Sequence, residues 1–266
     1  MRTQGQDLGL KLLDDFVSEG QLQFTSNEAV ERLARSPTAT ANLLRRLLRA
    51  GLIERVRRGH YAIHQLGTLG TAAAAEDVLR AVAAGFADTA HRVAYRSALD
   101  HFELLSHPSR SIQVALTKPT RAERLSGRPL TTIVESEESL SIGADRRDGA
   151  CVSDLERALL DASARPELIG GIAILAEALA AAASNVNVDR LMDYARRLHW
   201  GAALRRIGSL ADALELQGVA AKLAPLTKPT SDIELEPGGH ATTWRDSKWW
   251  VRWDQDPKQL LNVVHQ

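Results

Sequence analysis

The chain has 266 residues, 44% hydrophobic and 25% charged, with 33 basic residues, 33 acidic residues and a net charge of zero. That length accommodates about two domains and a sizeable core, and the neutral balance excludes a generic polyanion binder. Cys151 is the only cysteine, which excludes an internal disulfide framework and fits a reducing cytoplasm.

The opening segment, MRTQGQDLGLKLLDDF, has no uninterrupted apolar core of the signal-peptide kind. No run of about eighteen apolar residues follows, so no membrane helix and a cytoplasmic location are expected. Leu8, Leu12, Leu13 and Phe16 share one face, which predicts a first helix from about Gln6 to Ser18, ended by Gly20.

Thr25 and Glu28 stand at capping-box spacing. They open a predicted helix over about Ser26 to Arg35 that buries Val30, Leu33 and Ala34. Ser36-Pro37 signals a second start, with Ser as N-cap and Pro at the first helical position, where no N–H is needed. Gly51 stops that helix. Leu52 to Val56, an Arg57-Arg58-Gly59 turn and His60 to Ile63 then read as two short strands with a tight tip. The order predicts a helix-turn-helix followed by a basic wing.

The second of these helices carries the chemical signal. Thr40, Ala41, Leu44, Leu47 and Leu48 fall on one side at 100° per residue, and Thr38, Asn42, Arg45, Arg46 and Arg49 on the other. Arginine can grip guanine O6 and N7 with two hydrogen bonds, and asparagine can grip adenine in the same manner. Gln21 to His64 holds eight Arg and three Glu, an excess of five positive charges. The predicted DNA-contacting set is Thr38, Asn42, Arg45, Arg46 and Arg49 on the helix, with Arg55, Arg57 and Arg58 on the wing. Which arginine reads a base and which touches only phosphate stays open at this level, since most such contacts are to phosphate.

The expected architecture is α+β. A winged helix-turn-helix domain spans 1–66, a linker 67–70, and a larger, helix-rich mixed α/β domain 71–266 ends in a β-hairpin. In that larger domain, Ala72 to Ala90 and Ala94 to Phe102 read as helices. Ile112 to Leu116 and Thr131 to Val134 read as strands bounded by Pro, Gly and Ser. Ser153-Asp154-Leu155-Glu156 reads as a second capping box, opening a helix that Arg165-Pro166 ends. Three or four helices are expected from Ile172 to Ala224, then a loop bracketed by Pro225 and Pro229. The tail packs four Trp into ten residues and reads as a hairpin with a Gly-Gly turn that covers the core; a partner surface is the other reading.

Three stretches of this larger domain resemble a known family: VAYRSALDHFELL from Val93, VSDLERALLDASARPELIGGI from Val152, and the closing SDIELEPGG…SKWWVRW. With the N-terminal winged helix, they resemble the AbiEi-type antitoxins of bacterial type IV toxin–antitoxin pairs, a group that includes the mycobacterial MenA antitoxins. Ala158 departs from the family, whose members often have Thr there. The resemblance implies a protein that binds inverted repeats in its own promoter DNA and represses its operon. It also implies a larger domain that opposes a nucleotidyltransferase-like toxin, with direct contact not required. Tyr95, Arg96, Ser97, Glu156, Arg157, Asp161 and Arg165, from the two family-like helices, are the candidate antitoxin surface. The protein is expected to be a monomer when free, with pairing on DNA left open.

No phosphate loop, dinucleotide fingerprint, HExxH pair or GxSxG elbow is present in the sequence. No cofactor, metal or enzymatic activity is therefore expected. Asp161 and Arg165 stand at i,i+4 spacing and read as a structural ion pair. Two competing functions remain at this level: a ligand-responsive winged-helix regulator without a toxin partner, and an enzyme whose winged helix is a protein-interaction module.

Overall fold

The computed structural model describes residues 4–63, 78–107, 109–224, 230–238, 243–254, 256–257 and 260; for 4–7 and Arg57 it describes the backbone alone. The expected linker 67–70, the start of the helix expected from Ala72 and the Pro225–Pro229 loop lie outside these residues.

The N-terminal part runs α1 (Gln4–Ser18), β1 (Gln23–Thr25), α2 (Ser26–Leu33), α3 (Pro37–Arg49), β2 (Ile53–Arg57) and β3 (His60–Ile63). The capping box at Thr25 is formed in both directions: Glu28 N–H donates to Thr25 Oγ1 at 3.1 Å, and Thr25 N–H donates to Glu28 Oε2 at 2.5 Å. Helix α2 ends earlier than expected because Ala34 turns left-handed at φ 48°, which frees Ser36 to cap α3. The residue that α2 buries is Ala29; Val30 and Leu33 are half-buried and Ala34 is exposed.

Strand β1 was not expected from the sequence. It joins the wing as a sheet of order β1-β3-β2, with Phe24 opposite Tyr61. Phe24 stacks between Phe16 and Tyr61, at 4.6 and 5.6 Å between ring centroids. These rings, with Leu12, Leu13, Ala29, Leu43, Leu44, Leu47 and Ile53, form a small core of their own.

The larger part continues α4 (Val78–Gly85), β4 (His91–Val93), α5 (Tyr95–His101), β5 (Ile112–Leu116), β6 (Arg124–Leu125), β7 (Arg128–Val134), α6 (Glu137–Ser141), β8 (Ala144–Arg147) and β9 (Ala150–Ser153). The helices α7 (Leu155–Ala164), α8 (Pro166–Ile169), α9 (Ile172–Ala182), α10 (Val188–Arg197), α11 (Gly201–Ala213) and α12 (Gln217–Leu223) follow. The short strands β10 (Ile233–Glu234), β11 (Trp244–Asp246) and β12 (Val251–Trp253) close the chain.

The main sheet has the order β6-β7-β5-β4-β9-β8. It is mixed: β5 pairs with β7, and β4 with β9, in parallel, and the other neighbours are antiparallel. Helix α7 is the hub of the larger part and packs against α5, α9, α10 and α11. Each residue from Glu156 to Ser163 is buried. A helix enclosed on all sides has no solvated stripe, so its polar residues must find partners inside.

The tail is a three-stranded sheet, β10-β12-β11, rather than a simple hairpin. Its antiparallel pair turns at 247–250, not at the Gly-Gly dipeptide, of which Gly239 lies outside the described residues. Trp249 and Trp253 are fully buried, whereas Trp244 is 41% exposed. The tail is tied to α11 by Arg205, which donates to the carbonyls of Trp249, Ser231 and Trp250 at 2.6–2.8 Å. Gly208 of α11 lets the Trp249 indole lie against the helix backbone, since a Cβ there would overlap the ring.

The wing is not a free appendage. Val56 of β2 is 2% exposed and belongs to the larger core, with Ala62 of β3 packed beside it. Ser126 N–H donates to the Val56 carbonyl at 3.2 Å, and Gln23 Nε2 to the Arg80 carbonyl at 2.8 Å.

Candidate nucleic-acid interface

The binding surface begins with how α3 is held. Ser36 Oγ accepts from Ala39 N–H at 3.3 Å, and Pro37 occupies the first turn, so the helix N-terminus is defined by its own sequence. At the other end, Ala50 caps and Gly51 turns left-handed at φ 68° before the chain enters β2.

Thr40, Leu43, Leu44 and Leu47 are buried, Leu43 being an addition to the expected face; Ala41 and Leu48 are half-buried. Thr38, Asn42, Arg45, Arg46 and Arg49 are all exposed. Arg45 Nη1 donates to Asn42 Oδ1 at 2.9 Å, one helical turn apart, which pairs these two side chains on the outer face. None of Arg45, Arg46 and Arg49 forms an ion pair among the described residues. Arg55 and Arg58 of the wing are exposed as well; the Arg57 side chain lies outside the described residues. The result is a helix with a carboxamide-bearing and a hydroxyl-bearing residue and three guanidinium groups on one side, none of the three in an ion pair among the described residues, flanked by a basic wing. That arrangement suits phosphate contacts and base edges of a duplex.

The second set of expected residues behaves differently. Tyr95, Ser97, Glu156, Arg157 and Asp161 are each 3% exposed or less, so they do not form a surface. Only Arg96 and Arg165 of that set reach solvent. Arg96 is itself a brace, donating to the carbonyls of Ile169 and His107 at 2.6 and 2.9 Å.

Asp161 and Arg157 belong instead to a buried ionic cluster. Asp161 accepts from Arg92 Nη1 at 2.6 Å and from Arg157 Nε at 2.7 Å. Glu135 accepts from Arg92 Nη2 at 2.9 Å and from Arg157 Nη2 at 2.9 Å. Ser153 joins both Arg92 and Asp161. Burial opposes ionisation of Asp161, but the Arg92 and Arg157 guanidinium groups outweigh it and hold the carboxyl below the usual range. The expected Asp161–Arg165 pair is absent; Arg165 Nε binds Glu167 at 2.9 Å, while Arg157, one turn the other way, takes Asp161.

The second capping box is also corrected. Asp154, not Ser153, caps α7, accepting from Arg157 N–H at 2.8 Å. Glu156 reaches away to Asn187 N–H at 2.7 Å and Arg190 Nη1 at 3.3 Å. Tyr194 O–H donates to Asp154 at 2.7 Å. Burial pushes the Asp154 carboxyl up, and these donors only partly offset it.

Among the described residues, no group of three His, Cys, Asp or Glu side chains is placed to hold a metal ion, and no helix is long and apolar enough to cross a membrane. Arg92 and Glu135 escaped sequence reading because they meet Asp161 and each other across 69 and 43 residues.

A family model described as "Transcriptional regulator, AbiEi antitoxin" matches residues 11–64, from within α1 to the end of β3. The three family-like stretches of the larger part lie beyond that match. The structure resembles the crystal structure of the RV2827C protein from Mycobacterium tuberculosis, with a TM-score of 0.71 and 18% identity over 98% of this chain and 95% of that one. That likeness extends the shared fold over both parts of the molecule. No curated protein matches the sequence.

Proposed function

We propose, from the premise that residues 11–64 carry an AbiEi-type antitoxin regulator region, that this protein is a cytoplasmic, non-enzymatic repressor of its own operon and the antitoxin of a toxin pair. Helix α3 enters the major groove of promoter DNA bearing inverted repeats. Thr38, Asn42, Arg45 and Arg49 face base edges or adjacent phosphates, while Arg46 and the wing residues Arg55, Arg57 and Arg58 hold the backbone. The observation that carries this reading is the division of α3 into a buried Thr40–Leu43–Leu44–Leu47 face and an exposed face whose arginines make no ion pair among the described residues.

The larger part opposes a nucleotidyltransferase-like toxin of type IV kind, with or without contact. Support comes from the family description of the N-terminal region and the family-like stretches around Val93 and Val152. The burial of Tyr95, Ser97, Glu156, Arg157 and Asp161 assigns these residues to the framework behind any antitoxin surface.

Gel shifts on the DNA upstream of the gene, against a scrambled fragment of equal length, test the first half. Specific binding that weakens steeply with salt is expected. Equal affinity for both fragments contradicts it. Co-expression with the neighbouring reading frame tests the second half: the proposal requires restored growth.

A further inference from the structure

The basic surface does not stop at the wing. Strand β2 is the outer strand of the β1-β3-β2 sheet, and its free edge is covered by the tip of the β6–β7 hairpin from the larger part. There Ser126 N–H binds the Val56 carbonyl, and Ser126 Oγ lies 3.5 Å from Glu54 Oε1, beside the one acidic residue of the wing.

Around that tip stands a second set of arginines. Arg124 and Arg121 are exposed on the approach to it, and Arg110 is exposed at the start of β5. Because β5 and β7 run parallel in the register Ile112 to Leu130, Arg110 is at the same end of the sheet as the tip. Arg128 fixes this arrangement: its guanidinium donates to the Ser109 and Arg110 carbonyls. Arg124 donates to the Gly127 carbonyl, a neutral acceptor, and to no carboxylate among the described residues. None of Arg110, Arg121 and Arg124 forms an ion pair among the described residues. The nearby acids are Glu54, half-buried beside Ser126, Glu123, which is exposed, and Asp100, which is half-buried and accepts from Ser109 N–H at 2.8 Å.

The spacing suits a duplex. Arg124 is two residues from Ser126, and Arg55 is one residue from Val56, so chain geometry keeps the Cα atoms of the two arginines within about 15 Å of each other. B-DNA presents a phosphate about every 3.4 Å of axis on each strand, so an extension of that size spans about four phosphates. In a chain of zero net charge, a wing and a hairpin tip that each carry more arginines than acids are hydrogen-bonded together, which puts two net-basic segments side by side with Glu54 at the joint.

We propose that Arg110, Arg121 and Arg124 of the larger part bind the phosphate backbone of the duplex flanking the site engaged by α3 and the wing. This rests on the DNA-binding reading of α3 and extends it: the interface crosses from one part of the molecule to the other. The contacts carry no base information, so they lengthen the footprint without altering sequence preference.

The test compares wild type, the triple variant R110Q/R121Q/R124Q and Arg45→Ala on the upstream duplex over a range of salt concentrations. Matched melting curves by far-ultraviolet circular dichroism, which sees the helices of both parts, establish that each variant is folded. The triple variant should keep the sequence preference, lose about 10- to 100-fold in affinity at low salt, and show a salt slope smaller by about one unit per lost contact. A wild-type slope and footprint in the triple variant overturn the proposal. So does unchanged DNA binding with lost toxin rescue, which would give the three arginines to the toxin. If Arg45→Ala binds and discriminates as wild type while the triple variant weakens, the α3 reading fails and the three arginines stand.

Discussion

Ser126 N–H and the Val56 carbonyl, 3.2 Å apart, join a wing strand to a hairpin that lies 70 residues further along the chain. Val56 is at the same time a side chain of the larger core. The two parts of the molecule are therefore coupled by packing and by a backbone bond, and not only by the connecting chain. All five tryptophans lie at or beyond Trp200, so their fluorescence reports on the larger part alone. Replacing Val56 by Ala should lower the tryptophan unfolding midpoint, at a cost of about 2 kcal/mol for a buried aliphatic truncation. A midpoint equal to wild type would mean that the wing's docking contributes nothing to the larger core.

Two buried aspartates on one helix should respond oppositely to neutralisation. Asp161 has its folded pKa lowered by Arg92 and Arg157 despite burial. Its contribution to stability is therefore present above the unfolded value, near about 4, and is lost as pH falls through the folded value. Asp161→Asn leaves two buried guanidinium groups short of a counter-charge, so a loss of about 3–5 kcal/mol at pH 7 is expected. Urea unfolding measures it.

Asp154 has its folded pKa raised by burial, so its ionised form costs stability at neutral pH, and that cost is lost as pH falls through the raised value to the unfolded one, about 4. Asparagine caps a helix about as well as aspartate through Oδ1, and the Nδ2 that replaces Oδ2 can donate to the Tyr194 hydroxyl oxygen instead of accepting from it. Asp154→Asn should thus be neutral or stabilising at pH 7, with the difference from wild type shrinking near pH 4. A loss as large as that of Asp161→Asn would contradict the opposite roles assigned to the two groups.

Gly208→Ala is a one-methyl change in the middle of α11, where alanine is intrinsically the better helix former by about 1 kcal/mol. Here it should destabilise instead, by about 1–3 kcal/mol, because the Cβ would overlap the Trp249 ring. A melting curve with near-ultraviolet circular dichroism checks both the sign and the displacement of the indole.

The local elements were legible in the sequence where a boundary residue announced them. Ser36-Pro37 and Gly51 bracket α3, Thr25 and Glu28 start α2, and the β-branched Ile112–Leu116 run is β5 to the residue. Strand β1 escaped because Gln-Phe-Thr is too short to show alternation. The cap of α7 was misplaced by one position because Ser153 and Asp154 are both good caps; burial decides, since the Ser153 hydroxyl is taken by Arg92 and Asp161. Helical spacing equally allowed Asp161 to pair with Arg165 or Arg157, and only the direction of the core distinguishes them. The exposed face of α3 was readable from periodicity, whereas the docking of Val56 against Ser126 is a long-range contact with no local pattern to mark it.

Repression and toxin rescue should separate by surface charge but not by cutting the chain. Changing Arg45, Arg49 and Arg58 to Ala alters exposed side chains, which usually costs no more than about 0.5 kcal/mol each. Such a variant should lose repression in a promoter-reporter strain and still restore growth with the toxin induced. A fragment beginning at Thr71 instead uncovers the side of the larger core where α4 and β6 meet the wing strands, by removing Val56 and Ala62, so it should be less stable than the full chain. Equal melting midpoints for fragment and full chain would contradict this.

The most direct measurement of the account is the binding profile of wild type and Arg45→Ala over a library of randomised operators. Arg45 lies on the outer face of α3, hydrogen-bonded to Asn42, with the Leu43–Leu44–Leu47 core behind it. Wild type should select a defined half-site, and Arg45→Ala should relax the choice at one or two adjacent base pairs, by about 1–3 kcal/mol each. A wild-type profile without preference, or an Arg45→Ala profile identical to a selective wild type, would contradict the assignment of α3 as the reading element.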